Sequence, residues 1–264
     1  MHRRNNMLEW RTVESIIPRG VIIASSKEQE WLLPWWWENY SKHNAFPVTF
    51  VDFGLSEDGK SFCRQKGELV EIPFFPSIGK KEETEKEKLL FWETIYRSNT
   101  WKDKRSFWHK KSIALLQTPY EYTLWLDTDC EVHTCLDPLF EQIAKEDSIL
   151  ICPDPAEIQE SEKAKGHISA EEVIFNSGVI GFTRESKYIM EWAQHTVVAH
   201  GSYFGDDSLL SRLIYEKKWP VQQLDPLYNW RQITQGKQLD VKITHWVGEA
   251  GKFLISMKKL QFIP

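Results

Sequence analysis

The sequence predicts an α/β fold with a parallel sheet, and three observations carry that prediction. Apolar, β-branched runs alternate with helical patterns along the whole chain. The first strand, helix and second strand follow at the spacing of a βαβ unit. No internal repeat, low-complexity linker or composition break interrupts the alternation, so all 264 residues are assigned to a single domain, 1–264.

The elements follow in order. Arg19 to Ser25 is a short buried strand, β-branched and closed by small residues. A helix runs from there to about Tyr40, and Phe46 to Gly54 forms a second strand ending in a turn. The mixed-charge run Lys80 to Lys88 reads as a solvated helix face or loop. Arg105 to Gln117 is helical and stops before Pro119. Tyr122 to Leu126 is a buried strand that ends at Asp127-Thr128-Asp129. Asp137-Pro138 reads as an N-cap followed by proline at the first helical position, opening a helix to Ile143. Ser148 to Ile151 and Val173 to Phe175 are further strands, Glu185 to Ala199 and Asp207 to Glu216 helices, and Val241 to His245 a late strand.

Composition narrows the function. A chain that is 41% hydrophobic and 27% charged has the material for a sizeable core. With a net charge of -5, it lacks the basic excess that duplex phosphates demand, so no nucleic-acid partner is expected. The four cysteines form no CxxC pair and no zinc spacing, which fits a reducing compartment. The basic start Met1 to Asn6 is not followed by an apolar signal core, and no run of about 18 apolar residues provides a membrane span. A cytoplasmic protein is expected. Several of the 13 tryptophans cluster at Trp31, Trp35, Trp36 and Trp37, a spacing that suits a buried helix face or an interface, although aromatic faces also stack on sugars.

Asp127 and Asp129 are the centre of the functional argument. Two carboxylates at i and i+2, at the carboxyl end of an apolar strand, stand where open α/β sheets place their ligands. Hard oxygen donors suit Mg²⁺ or Mn²⁺, which bridge to a diphosphate and neutralise it. Nothing structural requires two acids at a strand end, although a turn cap is the plain alternative.

Lys111 to Leu116 followed by Tyr120 to Asp129 resembles the helix, strand and DXD segment of GT-A fold glycosyltransferases. Phe175-Asn176-Ser177-Gly178-Val179, Gly205-Asp206-Asp207 and His245-Trp246-Val247-Gly248 continue the match in order over residues 19 to 255. The ordered set is similar to glycosyltransferase family 8 and related retaining transferases. The resemblance implies a single Rossmann-like GT-A domain with a mixed, mostly parallel central sheet flanked by helices. It implies transfer of a sugar from a nucleotide-sugar, UDP-sugar by preference, to an acceptor, with Mn²⁺ or Mg²⁺ as cofactor.

Carried over by residue, the resemblance makes Asp127, Asp129 and His245 the metal ligands. Asn176 would lie beside the donor sugar and Asp206 would bond its hydroxyls. Asp207 stands where the family often has glutamine, on the face of the sugar opposite the leaving group, and could act as nucleophile or charge stabiliser. Lys110 or Lys111 would approach the donor. Ala24, Ser25 and Asp52 would lie near the base and ribose, and Thr128 and Gly248 belong to the matched motifs that hold the donor. The family spaces a lysine six residues after the histidine; here Gly251 takes that place and Lys252 follows it, still a cation for the leaving diphosphate.

Each residue also has a plain structural reading. His245 could be a packed histidine, Asp206 a helix N-cap, Asn176-Ser177-Gly178 a turn between strands and Asp52 a cap. Two other functions fit parts of the pattern: a haloacid dehalogenase-like phosphatase, whose signature also starts with DxD, and a sugar- or nucleotide-binding module without activity. Against the phosphatase, about 120 residues precede this DxD and Cys130 follows it.

Overall fold

The computed structural model describes residues 8–72, 78–80, 82, 84–95 and 100–260. The basic stretch 1–6, and residues 81 and 83 of the charged run, lie outside them. The strands are β1 (Ile17–Ser25), β2 (Val48–Asp52), β3 (Glu68–Glu71), β4 (Tyr120–Leu126), β5 (Cys130–Val132), β6 (Ile149–Pro153), β7 (Phe175–Thr183), β8 (Val221–Gln223) and β9 (Ile243–His245). The helices are α1 (Leu33–Ser41), α2 (Glu57–Lys66), α3 (Lys86–Ile95), α4 (Thr100–Leu115), α5 (Asp137–Ile143), α6 (Ala156–Ala164), α7 (Lys187–Ala199), α8 (Asp206–Lys217), α9 (Gln232–Gln235) and α10 (Gly248–Lys259).

Seven strands form one sheet in the order β3-β2-β1-β4-β7-β6-β8, and β5 pairs with β9 in a small second sheet. The β1–β2, β1–β4, β2–β3 and β6–β8 pairs are parallel, whereas β7 runs antiparallel to both β4 and β6. The sheet is therefore mixed and mostly parallel, as expected. Val21, Ile22 and Ile23 of β1 are all 0% exposed, because helices cover both faces. Alternate side chains divide the core in two. Val21, Ile23, Phe50, Leu124 and Leu126 pack under α1 and α5, and Ile22, Val51, Trp125 and Ile180 pack under α4, α7 and α8.

The antiparallel strand positions the site. Leu126, the last residue of β4, pairs with Val179, so Asn176, Ser177 and Gly178 of β7 extend past the end of β4 beside Asp127. These three residues are inside a strand whose first eight residues are buried, not in a turn. Val173 and Ile174 precede that strand.

Other boundaries moved for local reasons. Leu136 occupies the N-cap of α5, and Asp137 is its first helical residue, salt-bridged to Arg19. Likewise Gly205 takes the N-cap of α8, so Asp206 is not a cap. The helices α2, α6 and α10 and the strand β3 were not foreseen, being short or polar in pattern. The four cysteines are free. Among the described residues no helix is long and apolar enough to cross a membrane.

The tryptophan cluster is core. Trp36 is fully buried, stacks on Tyr40 at 4.9 Å between ring centroids and meets Phe50 edge-on at 6.4 Å. Trp36→Ala should cost about 3–5 kcal/mol of unfolding free energy, as large aromatic truncations in packed cores do. Denaturant unfolding checks this; a loss under about 1 kcal/mol would mean the face is not packed as described.

Candidate active site

A cleft of about 540 Å³ opens at the carboxyl edge of β1 and β4. Parallel strands all end on that edge, which delivers Ala24 and Ser25 from β1 and the Asp127–Asp129 turn from β4 to one place. The loop before α8 and the start of α10 close it from the other side.

The two aspartates are held differently. Asp127 accepts from the Trp125 indole Nε1–H at 2.6 Å and pairs with the Lys111 ammonium at 3.1 Å. Asp129 is buried: its Oδ2 accepts from Lys252 at 2.8 Å, and its Oδ1 faces His245 Nε2 at 3.3 Å. Burial favours its neutral form, but Lys252 and His245 outweigh that and hold it below the usual carboxylate range.

His245 ends β9 and is 4% exposed. Its ring fills the space beside Gly178, where an added Cβ would fall 2.1 Å from Cε1, so the glycine of the β7 motif is what lets β7 and β9 close on each other. Its Nε2 is 3.3 Å from Asp129 and 3.8 Å from Asp127 Oδ2. Adjacent ligands about 2.1 Å from one octahedral ion are about 3 Å apart, so the Asp129 oxygen and the His245 nitrogen stand at ligand spacing for Mn²⁺ or Mg²⁺, with an Asp127 oxygen 3.8 Å from that nitrogen. Cys130 lies within 4.8 Å of the Asp129 and His245 donors. However, burial raises its thiol pKa well above the ordinary value and its Sγ faces the Gly178 carbonyl at 3.6 Å, so it is a poor partner for a hard ion.

Behind the aspartates, the Lys111 ammonium sits among Asp127, Asp206 Oδ2 at 3.2 Å, Ser177 Oγ at 2.6 Å and the Ser177 carbonyl at 3.1 Å. Burial opposes its charge, yet Asp127, Asp206 and Asp207 raise its pKa above the ordinary lysine value. Asp206 also accepts from the Ser177 hydroxyl at 2.7 Å, and Asp207 Oδ1 from the Ser177 backbone N–H at 2.7 Å. Among the described residues Asp207 forms no ion pair, and Lys111 acts on it only from a distance. Burial first, and then the charge of Asp206, push its pKa up to about 8.

The structure brings Ala24, Ser25, Lys111, Asp127, Thr128, Asp129, Asn176, Asp206, Asp207, His245, Gly248 and Lys252 to this one cleft. Two expected donor-binding residues do not line the cleft. Asp52 caps its own turn, accepting from the Gly54 and Leu55 amides at 2.6 Å each, and pairs with Lys60. Lys110 is one residue, or 100°, round α4 from Lys111; it does not line the cleft itself and lies over the Phe53 and Phe107 rings, which do. The late lysine also has a physical reason. A Cβ at Gly251 would meet the Trp246 carbonyl at 2.1 Å, so no lysine can stand there, and Lys252 reaches Asp129 instead.

Sequence reasoning missed Asn229, which bonds both Asn176 and His245, and the buried Arg231–Asp154 pair. It also missed the wall formed by Phe107, Trp108, Phe204 and Ile158. Residues that serve a site through packing or one long-range bond carry no local motif.

No protein-family model matches the sequence, and no curated protein does. The architecture does match solved structures. The galactosyltransferase LgtC, solved with donor and acceptor sugar analogues, is 14% identical, with a TM-score of 0.53 over 93% of this chain and 97% of that one. Mouse xyloside xylosyltransferase 1 is also 14% identical, with a TM-score of 0.52 over 88% and 98%. The glycosyltransferase GlyE of Streptococcus pneumoniae is 16% identical, with a TM-score of 0.51 over 88% of this chain and 55% of its own. At these identities the likeness is one of architecture: the chain has the GT-A fold.

Proposed function

We propose that this protein is a glycosyltransferase that moves a sugar from a nucleotide-sugar, a UDP-sugar by preference, to an acceptor hydroxyl, with retention at the anomeric carbon. One observation carries the reading: Asp127, Asp129 and His245 converge at the carboxyl edge of the sheet, with Lys252 and the N-terminus of α10 beside them. Carboxylates alone repel a diphosphate; the same carboxylates with a divalent cation, a lysine and a helix N-terminus attract one. The residues that would hold the ion are Asp127, Asp129 and His245. When bound, it would neutralise charge on the leaving diphosphate.

The protein groups have distinct tasks in this reading. Lys252 exchanges Asp129 for the diphosphate as the donor enters, and the α10 amides face the same phosphates. Ala24 and Ser25, at the end of β1, flank the nucleoside. Asp206, held by Lys111 and Ser177, orients sugar hydroxyls. Asp207 faces the reacting carbon. As the bond to the diphosphate breaks, positive charge grows on that carbon, and an ionised Asp207 either attacks it or stabilises it through space. The acceptor hydroxyl then forms the new bond, its proton passing to an oxygen of the departing diphosphate and any bond from Asp207 breaking as the carboxylate leaves. A panel of nucleotide-sugars, scored for metal-dependent release of nucleoside diphosphate, tests the function.

UDP with Mn²⁺ should raise the melting temperature by several degrees, and UDP in chelator far less. Asp129→Asn should abolish the metal-dependent part and reduce donor turnover by orders of magnitude while leaving the fold intact. Equal shifts with and without metal would sink the metal site.

Because the folded-state pKa of Asp207 is raised, the folded protein keeps a proton between about pH 4 and pH 8 that the unfolded chain has lost. Its contribution to stability therefore falls as pH rises through that window. Asp207→Asn should be more stable than wild type, by a margin that grows from pH 4 to pH 8 and is flat above. Denaturant melts across that range check it; a constant margin would place Asp207 in a wetter, ordinary environment.

The same variant should lose turnover by far more than it loses donor affinity, because the missing interaction belongs to the transition state. Donor dissociation constant and turnover number, measured side by side, separate the cases: parallel losses would make Asp207 a donor-binding residue.

A further inference from the structure

An imidazole ligates a metal through the ring nitrogen that carries no proton, so the bond made by its other nitrogen decides how it binds. Here His245 Nδ1 lies 2.9 Å from Oδ1 of Asn229, a side chain only 4% exposed. The end of the Asn229 amide that faces the histidine is fixed from its far side. Its Nδ2 donates to Asn176 Oδ1 at 2.9 Å and lies 3.5 Å from the Asn176 backbone carbonyl, a group that can only accept. Asn176 Oδ1 is fixed in turn, because it accepts the Gly178 backbone N–H at 3.1 Å, and a backbone amide can only donate. Turning the Asn229 amide over would set its oxygen against the two Asn176 oxygens, and turning the Asn176 amide over would set its NH2 against the Gly178 and Asn229 donors.

We propose that Asn229 is a positioning residue that sets the tautomer of His245. A one-way chain of bonds runs from the Gly178 amide through Asn176 and Asn229. It ends on an oxygen that can only accept, so His245 Nδ1 carries a proton and, with the ion bound, Nε2 supplies its lone pair to the position that Asp127 and Asp129 also face. The two β7 residues that begin and carry the chain belong to the motif that also lines the donor cleft. This explains why Asn176 and Gly178 come together: one supplies the polarity, and the other supplies both the amide and the room for the ring. The inference rests on the reading of His245 as a metal ligand.

The test measures Mn²⁺ binding in the presence of saturating UDP, by water-proton relaxation, in wild type, Asn229→Leu and Asn229→Asp. The leucine variant, which keeps the volume and removes both amide ends, should bind Mn²⁺ about 10- to 100-fold more weakly. The aspartate variant keeps an acceptor toward Nδ1 and should stay much closer to wild type. In parallel, nitrogen-15 spectra of histidine-labelled wild-type protein with UDP and diamagnetic Zn²⁺ should show the His245 proton on Nδ1, the signal being identified by its loss in His245→Gln. The spectrum needs no Asn229 variant, so the proposal stands or falls even if the leucine variant does not fold. A proton on Nε2, or a folded leucine variant that binds Mn²⁺ as wild type does, overturns the relay alone. Wild type that binds no Mn²⁺ with UDP overturns the metal site along with it.

Discussion

Asp127, Asp129, Asp206 and Asp207 reach one cleft from two separate parts of the chain, and their mutual repulsion is the constraint that the fold has to answer. The answer is the Lys111 ammonium, 8% exposed and within 3.3 Å of Asp127, Asp206 and Ser177. A buried charge is tolerable only when it is paired and hydrogen-bonded, and each element around Lys111 supplies part of that: the turn after β4, the start of β7 and the start of α8. The same contact that neutralises the acids therefore also fixes three elements relative to α4. Asp129 has its own partners, Lys252 and His245, and these bring α10 and β9 to the site. Asp207 receives only a backbone amide, which is why it stands apart from the others in protonation.

The parts of the fold that were legible in the sequence are those where burial acts on both faces of an element. β1, β2 and β4 each carry a short apolar run buried on both faces, so they read as strands of a parallel sheet, and the DxD then fell at a strand end without further assumption. β7 was harder. Its first residues include Asn, Ser and Gly, which read as turn chemistry, yet eight of its nine residues are buried. The polar residues are there because they face the cleft and one another, and a period-2 pattern cannot show that. Nor could local sequence reveal that β7 runs antiparallel, since direction depends on which strands it meets.

The site divides in the same way. Residues in compact motifs, such as Asp127, Asp129, Asn176, Asp206 and His245, were found because several polar groups fall within a few positions of each other. Asp52 and Lys110 were misplaced because sequence position tells which end of an element a residue occupies and not which way its side chain turns. Asp52 turns back onto Gly54 and Leu55, and Lys110 lies over the outer side of the Phe53 and Phe107 rings that line the cleft. Asn229 was invisible for a different reason: its two partners are 53 and 16 residues away, and one buried amide between a tyrosine and a tryptophan has no signature.

The two rival readings make different demands on the same carboxylates. A phosphatase that used an aspartate of the DxD as its nucleophile would need that carboxylate presented outward, with free oxygens. In this structure Asp127 is tied by Trp125 and Lys111, and Asp129 lies beneath His245 and Lys252. Side chains held this way are suited to ligation and poorly suited to attack. A binding module without activity would have no need of Asp207, whose burial without a cation raises the energy of its ionised form. A buried carboxyl with a raised pKa in a cleft is a mark of a functional site, which fits the proposed reaction better than a bare binding module.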